Sequence, residues 1–105
     1  MQIQVHTDHH TEGGEKFSAY VSNMVETALS HVSARISRVE VHLSDENGSK
    51  KGEDDKRCMM EARVEGHQPI AVTQKAGSVD EALNGAADKL LKALESTLNR
   101  IKEAR

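Results

Sequence analysis

Histidine and carboxylate side chains crowd into the segment HTDHH, residues 6–10, and these are side chains that bind zinc or nickel in proteins. Adjacent residues on one loop, however, rarely converge on a single ion unless a further ligand comes from elsewhere in the chain. The remaining histidines, His31, His42 and His67, are scattered along the sequence. We therefore expect HTDHH to be a solvated polar loop and predict no metal site, with a metal-binding or small enzyme-like domain that uses this segment as a weaker alternative.

The best candidate for a nucleophile, by side-chain type, is Cys58. It occupies an inward position in an alternating strand pattern, and buried cysteines are usually inert. The sequence contains no nucleophile elbow and no glycine-rich phosphate loop before a helix. The carboxylates of EDD, residues 53–55, fall in a charged loop that cannot hold a catalytic geometry. The sequence therefore predicts a protein that is not an enzyme and that uses no cofactor.

Basic residues near the end of the chain give the strongest signal for binding. Residues 85–105 include five basic and three acidic side chains. Lys89 and Lys92 are three positions apart and share a face of a helix, and Lys75 precedes that helix. An ordinary solvated helix would look similar, because basic residues also stabilise a helix C-terminus. The net charge of −3 gives no global preference for nucleic acid, so such binding would depend on a local patch.

Alternation of apolar and polar residues predicts four strands that position these side chains. The strands cover residues 2–6 and the segments ISRVEVHLS, RCMMEARVEG and PIAVTQKA. Apolar residues with three-and-four spacing predict one helix from Glu15 to about Val32 and a second helix that begins after Ser78. Ser78 and Glu81 have the spacing of a capping box, and Gly85 indicates a close approach of this helix to the sheet or to the first helix.

The element order β-α-β-β-β-α predicts an α+β fold. A right-handed crossover makes the first two strands parallel, and hairpins add the third and fourth strands antiparallel. Each helix has one apolar stripe and the strands share one apolar face. Both helices should therefore pack on the same face of a four-stranded mixed sheet, and the opposite face should be polar and hydrated.

The length of 105 residues suits a single domain over residues 1–105. The segment 44–56 has no apolar residue and dense mixed charge, and we interpret it as a mobile hairpin loop. A single cysteine fits a reducing compartment, the N-terminus lacks a signal-peptide pattern, and no apolar run reaches the ~18 residues of a membrane span. These features predict a cytoplasmic protein without a membrane partner.

The whole pattern resembles the family of ribosome hibernation-promoting factors and ribosome-associated inhibitors, also known as sigma factor modulation proteins. The resemblance covers nearly the whole chain and rests on the strand MQIQVHT, the hairpin VEVHLSDENG, the strand CMMEARVEG and, above all, the helix VDEALNGAADKLLKAL. It implies a fold similar to the double-stranded-RNA-binding domain. It also implies binding to the small ribosomal subunit in the channel used by mRNA and tRNA, where such factors repress translation under stress.

In this family, basic helix side chains contact rRNA phosphates. By position, the resemblance assigns this role to five residues: Lys75, Lys89, Lys92, Arg100 and Lys102. The first helix of the family usually bears several basic residues, whereas here it carries only Lys16, and residues 1–45 contain three basic and six acidic side chains. An alternative therefore stays open, in which the chain is a protein-interaction or weakly dimerising module that keeps the fold with weakened RNA binding.

Overall fold

The computed structural model describes residues 1–8, 13–46 and 55–103, and its elements follow the expected order. The strands are β1 (Gln2–Thr7), β2 (Ile36–Asp45), β3 (Lys56–Val64) and β4 (Ile70–Ala76), and the helices are α1 (Glu15–Ala28) and α2 (Val79–Glu103). A 3-10 turn, Ser33–Arg35, precedes β2.

The four strands form one mixed sheet in the order β1-β2-β3-β4. β1 pairs with β2 in parallel, and the β2–β3 and β3–β4 pairs are antiparallel, which confirms the predicted pairing. β1 and β4 are therefore the two edge strands. Pro69 directly precedes β4, a position on an edge strand where the missing N–H of proline is tolerated.

Both helices pack on one face of this sheet and enclose an aliphatic core, as predicted. Burial alternates along β2 and β3, so that every second side chain of these central strands points at the helices. The largest fully buried side chains come from α1 and the residue after it, from α2 and from the two central strands: Leu29, Met60, Leu83, Leu90, Leu94, Val21, Val25, Val39, Val41 and Cys58. This core fixes α2 over the β3–β4 half of the sheet.

The helix α1 ends at Ala28, so the predicted end near Val32 was wrong. Leu29 and Val32 are nevertheless buried, because the chain continues in tight turns. The N–H of Val32 donates to the carbonyl oxygen of Leu29 at 3.0 Å, and the Ser33 hydroxyl donates to the carbonyl oxygen of Ser30 at 3.2 Å. The apolar spacing thus identified the buried residues but not the point where α-helical hydrogen bonding stops.

The strands β2 and β3 extend further into the charged segment 44–56 than the alternation predicted. Asp45 and Asp55 are only 8% and 5% exposed, and the Lys56 amino group lies 2.8 Å from Asp45 Oδ2 and 3.3 Å from Asp55 Oδ2. The hydrogen bond to Asp45 is the main reason why the pKa of Lys56 is raised. These three residues are charged, so their burial through mutual ion pairs could not be read from a pattern of apolar residues. The remainder of the predicted loop, residues 47–54, lies outside the described residues.

The helix α2 begins with the predicted cap. The N–H of Glu81 donates to Ser78 Oγ at 3.2 Å, and the Ser78 hydroxyl donates to Glu81 Oε1 at 3.2 Å. A Cβ atom at Gly85 would lie 2.6 Å from Cγ of Gln74, a residue of β4. Gly85 therefore permits the close approach of α2 to the sheet, one of the two contacts that the sequence suggested for this residue. Among the described residues, Leu98 is the last apolar side chain of α2 that packs on the core. The helix therefore extends beyond the core by about one turn.

Candidate nucleic-acid interface

Three of the five predicted RNA-contacting cations share one side of α2. At about 100° per residue, Lys89 and Arg100 are only about 20° apart around the helix axis, and Lys92 is about 60° from Lys89. The three positions span about 16 Å along the axis, at about 1.5 Å per residue. All three residues are exposed. We call Lys89, Lys92 and Arg100 the α2 cation flank.

Two members of the α2 cation flank are held in place by neutral oxygen atoms. Lys89 Nζ donates to the carbonyl oxygen of Thr73 at 3.0 Å, across the contact between α2 and the edge strand β4. Arg100 Nη2 donates to Thr97 Oγ1 at 3.3 Å, one turn earlier in α2. An ammonium group has three donors and a guanidinium has five. Both side chains therefore keep free donors and their full positive charge at the outer side of the helix.

The acidic residues of α2 flank Lys92 more closely than Lys89. Among the side chains that the structure describes, which do not include that of Glu103, no ion pair involves Lys89, Lys92 or Arg100. Asp88 and Glu95 lie about 100–140° away from Lys89 and Arg100 around the helix, although Lys92 is within about 40–60° of both acids. Glu103 is three residues after Arg100 and about 60° from it around the helix, so by position Lys89 is the member of the flank least offset by the acids of α2.

The other two predicted contacts, Lys75 and Lys102, lie elsewhere. Lys102 is about 160° from Arg100 around α2, so it projects from the opposite side of the helix. Lys75 is opposite Arg57 in the β3–β4 register, on the open face of the sheet that the helices do not cover. Its amino group lies 3.1 Å from Glu46 Oε2, which offsets its charge locally. The fold thus brings three of the five residues together and leaves two apart.

A groove of about 630 Å³ lies between α1 and α2, and sequence reasoning missed it. Tyr20, which is 49% exposed, donates its hydroxyl hydrogen to Asp80 Oδ1 at 3.1 Å and so links the two helices. This hydrogen bond is the main reason why the pKa of Tyr20 is raised. Met24 and Leu91 contribute apolar lining. The apolar spacing placed Tyr20 and Met24 in the buried stripe of α1, and no local signal indicated that they border an open groove.

The residues of HTDHH do not act as a unit where the structure describes them. Asp8 Oδ2 accepts a hydrogen bond from the N–H of Asp45 at 3.1 Å, whereas His6 projects from the open face of the sheet. His9 and His10 lie outside the described residues. His6 stacks instead on His42, with ring centroids 4.6 Å apart. The sequence could not show this pair, because only the register between β1 and β2 brings the two rings together.

The core position of Cys58 agrees with the prediction that it is not a nucleophile. The residue has no exposed surface, and burial raises the pKa of its thiol to about 12. The thiolate is the reactive form of cysteine, and at neutral pH almost none of it is present here.

Comparisons with known proteins agree with this fold. The model of a family described as "Sigma 54 modulation protein / S30EA ribosomal protein" matches residues 3–105. This chain belongs to that family. The match covers nearly the whole chain and confirms the resemblance found in the sequence. The family consists of ribosome-associated, non-enzymatic factors, in line with the prediction that the protein is not an enzyme. A search of curated proteins found no match.

Solved structures similar to this member of the S30EA family include the following two. The N-terminal domain of Protein Y from Thermus thermophilus has a TM-score of 0.71 at 16% identity, and the match covers 92% of this chain and 99% of that one. A ribosomal subunit interface protein from Coxiella burnetii has a TM-score of 0.69 at 14% identity, with 94% and 99% covered. At these identities the likeness establishes the α+β fold. Neither described helix is long and apolar enough to cross a membrane.

Proposed function

We propose that this protein binds the small ribosomal subunit through the α2 cation flank and thereby represses translation. Membership of the S30EA family and the likeness to a ribosomal subunit interface protein support a ribosomal partner. The observation that carries the proposal is the arrangement of Lys89, Lys92 and Arg100 on one side of α2, without an ion pair to any acidic side chain that the structure describes. Lysine and arginine form charge-assisted hydrogen bonds with phosphate oxygens, so this flank suits the rRNA backbone.

Repression of this kind requires only that the protein occupies its site on the ribosome, and it involves no chemical step. A domain seated in the channel used by mRNA and tRNA would exclude both, and it would leave when its phosphate contacts are lost. Such contacts are reversible because counterions compete for them, and each neutralised phosphate adds about 0.7–0.9 to the slope of log affinity against log salt. Such a partner would place the protein in the cytoplasm, as a hibernation factor for stressed cells.

Lys102 and Lys75 belong to the proposal as secondary contacts. Lys102 would meet RNA that bends around the end of α2. Lys75 would first have to leave Glu46, 3.1 Å away, and the RNA would have to reach the open face of the sheet. Charge reversal at either position should therefore weaken binding less than charge reversal at Lys89 or Arg100.

Co-sedimentation with purified small ribosomal subunits tests the proposal. The test variant is Lys89→Glu/Lys92→Glu/Arg100→Glu, and a matched control, Lys16→Glu/Arg35→Glu/Arg63→Glu, reverses three exposed cations elsewhere. Both variants change the net charge equally, so a difference in binding between them must come from the positions of the reversed charges. We expect the test variant to lose binding and the control to keep most of it. Equal binding by the two variants would contradict the assigned surface.

A reconstituted translation reaction tests repression separately. The wild-type protein should lower the yield of product, and the Lys89→Glu/Lys92→Glu/Arg100→Glu variant should not. A wild-type protein that binds the subunit without lowering the yield would support the partner and contradict the role.

The groove between α1 and α2 favours a second candidate function, a protein-interaction or dimerising module. Tyr20 is half exposed beside this groove. Lys16 is the only basic residue of α1, so this helix has few side chains for phosphate contacts. A second copy of the chain could cover the apolar lining. Light scattering over a range of concentrations tests this candidate: a mass that rises toward that of a dimer supports it, and a monomer at every concentration contradicts dimerisation.

A further inference from the structure

Three residues that are separated in the sequence meet on the open face of the sheet. His6 of β1 and His42 of β2 are direct partners in the parallel register, and Glu40 precedes His42 by two positions on the same face. The two imidazole rings stack with centroids 4.6 Å apart and planes inclined by 15°. One edge strand and one central strand therefore present two histidines and one carboxylate at the same place.

The distances in this cluster are close to those between the ligands of one metal ion. Glu40 Oε1 lies 3.4 Å from His6 Nε2 and 3.7 Å from His42 Nε2, and one ligand atom from each of the three residues lies within 4.8 Å of the others. Metal–ligand bonds of about 2.0–2.2 Å in tetrahedral zinc sites place neighbouring ligand atoms about 3.3–3.6 Å apart. The nearly parallel rings must tilt toward the ion, and side-chain exposures of 47% for His6 and 42% for His42 leave room for that movement.

A second layer of contacts orients the carboxylate. Arg38 Nη2 lies 3.3 Å from Glu40 Oε2 and donates to Gln4 Oε1 at 2.7 Å. Arg38 therefore occupies one oxygen of Glu40, while the other oxygen faces the two imidazoles. Outer hydrogen bonds of this kind hold metal ligands in position in known sites. The positive charge of Arg38 opposes a cation, but Glu61, the partner of Glu40 in the β2–β3 register, adds a carboxylate to the same face.

We propose that His6, Glu40 and His42 form a binding site for a zinc-class divalent transition metal ion. Two imidazole nitrogens and one carboxylate oxygen are ligands that zinc prefers, and they leave a fourth position open. The ion would join the edge strand β1 to the central strand β2. Since an ion that binds only the folded chain stabilises it, zinc should raise the unfolding temperature. The site lies on the sheet face away from the helices and is independent of the α2 cation flank.

The test is calorimetric titration of zinc chloride into the full chain, without an affinity tag. We expect one bound zinc per chain and a rise in the unfolding temperature. Three single variants, His6→Gln, Glu40→Gln and His42→Gln, should each weaken binding by about tenfold or more, since even loss of an outer-shell partner has an effect of about 10–100-fold. Cobalt in place of zinc should give the visible absorption of a tetrahedral site, which the His42→Gln variant should lose.

Two controls separate this site from other histidines. His67→Gln, in the exposed turn after β3, should bind zinc as the wild type does. His9→Gln/His10→Gln should also keep the binding, because the three proposed ligands all remain in this variant. The proposal is overturned if the wild type binds no zinc, if the His6 and His42 variants bind it normally, or if the His9/His10 variant loses it. The Lys89→Glu/Lys92→Glu/Arg100→Glu variant should retain zinc, so the result does not depend on ribosome binding.

Discussion

The close approach of α2 to β4 makes the effect of one substitution calculable. Gly85→Ala would place a Cβ atom 2.6 Å from Cγ and 2.9 Å from Cδ of Gln74. In an unconstrained helix this substitution stabilises by about 1 kcal/mol, whereas an extra carbon in a packed contact costs about 1–3 kcal/mol. The clash includes Cγ, so Gln74 must change rotamer and give up the hydrogen bond from its Nε2 to the carbonyl oxygen of Lys75. We expect Gly85→Ala to lower the free energy of unfolding by about 0–2 kcal/mol.

A Gln74→Ala background reverses the expected sign. The three atoms nearest to the added Cβ are Cγ, Cδ and Oε1 of Gln74, and alanine has none of them. Gly85→Ala should then stabilise by up to about 1 kcal/mol through helix propensity alone. Urea denaturation of the four proteins in this double-mutant cycle measures the coupling, which should be about 1–3 kcal/mol. Additivity within about 0.5 kcal/mol would refute the contact and, with it, the placement of α2 that sets the direction of Lys89.

Three further substitutions or modifications test the helix cap, the core thiol and the buried charges. Ser78→Ala should lower the free energy of unfolding by about 1 kcal/mol in urea titrations, and Ser78→Asp should preserve the cap; equal stability of all three proteins would contradict it. Cys58 should react with a thiol reagent at pH 8 far more slowly in the native protein than in guanidinium, because its pKa is raised to about 12; equal rates would contradict its burial. Lys56 has a raised pKa in the folded state, so its stabilising contribution is complete below 10.5, the ordinary value, and is lost as the pH rises through the higher folded value. Lys56→Met should therefore be less stable than the wild type at pH 7, with a difference that shrinks above pH 10.5; a constant difference would contradict this linkage.

Much of the scaffold could be predicted because burial follows periodicity. Val39 and Val41 alternate with polar residues, and both are fully buried on the helix-facing side of β2. The end of α1 could not be predicted in this way, since Leu29 is buried whether the chain continues as a helix or turns. The ends of β2 and β3 were also missed, because Asp45 is buried by an ion pair with Lys56 and not by apolar contact.

The candidate sites depend more on register than on local pattern. Lys89 and Lys92 could be placed on one helix face from their spacing alone. The position of Lys75 on the open sheet face follows from its pairing with Arg57, which only the β3–β4 register supplies. In the same way, His6 and His42 meet only through the register of β1 with β2, and no spacing rule joins residues on separate strands.

The most direct test of the central claim, that the α2 cation flank contacts ribosomal phosphates, is the salt dependence of affinity for small ribosomal subunits. Three phosphate contacts should contribute a slope of about −2 to −3 in log affinity against log salt. Lys89→Glu/Lys92→Glu/Arg100→Glu should reduce the magnitude of the wild-type slope by at least that amount. The Lys16→Glu/Arg35→Glu/Arg63→Glu control should leave the slope nearly unchanged. Equal slopes for the wild type and the flank variant would contradict the claim.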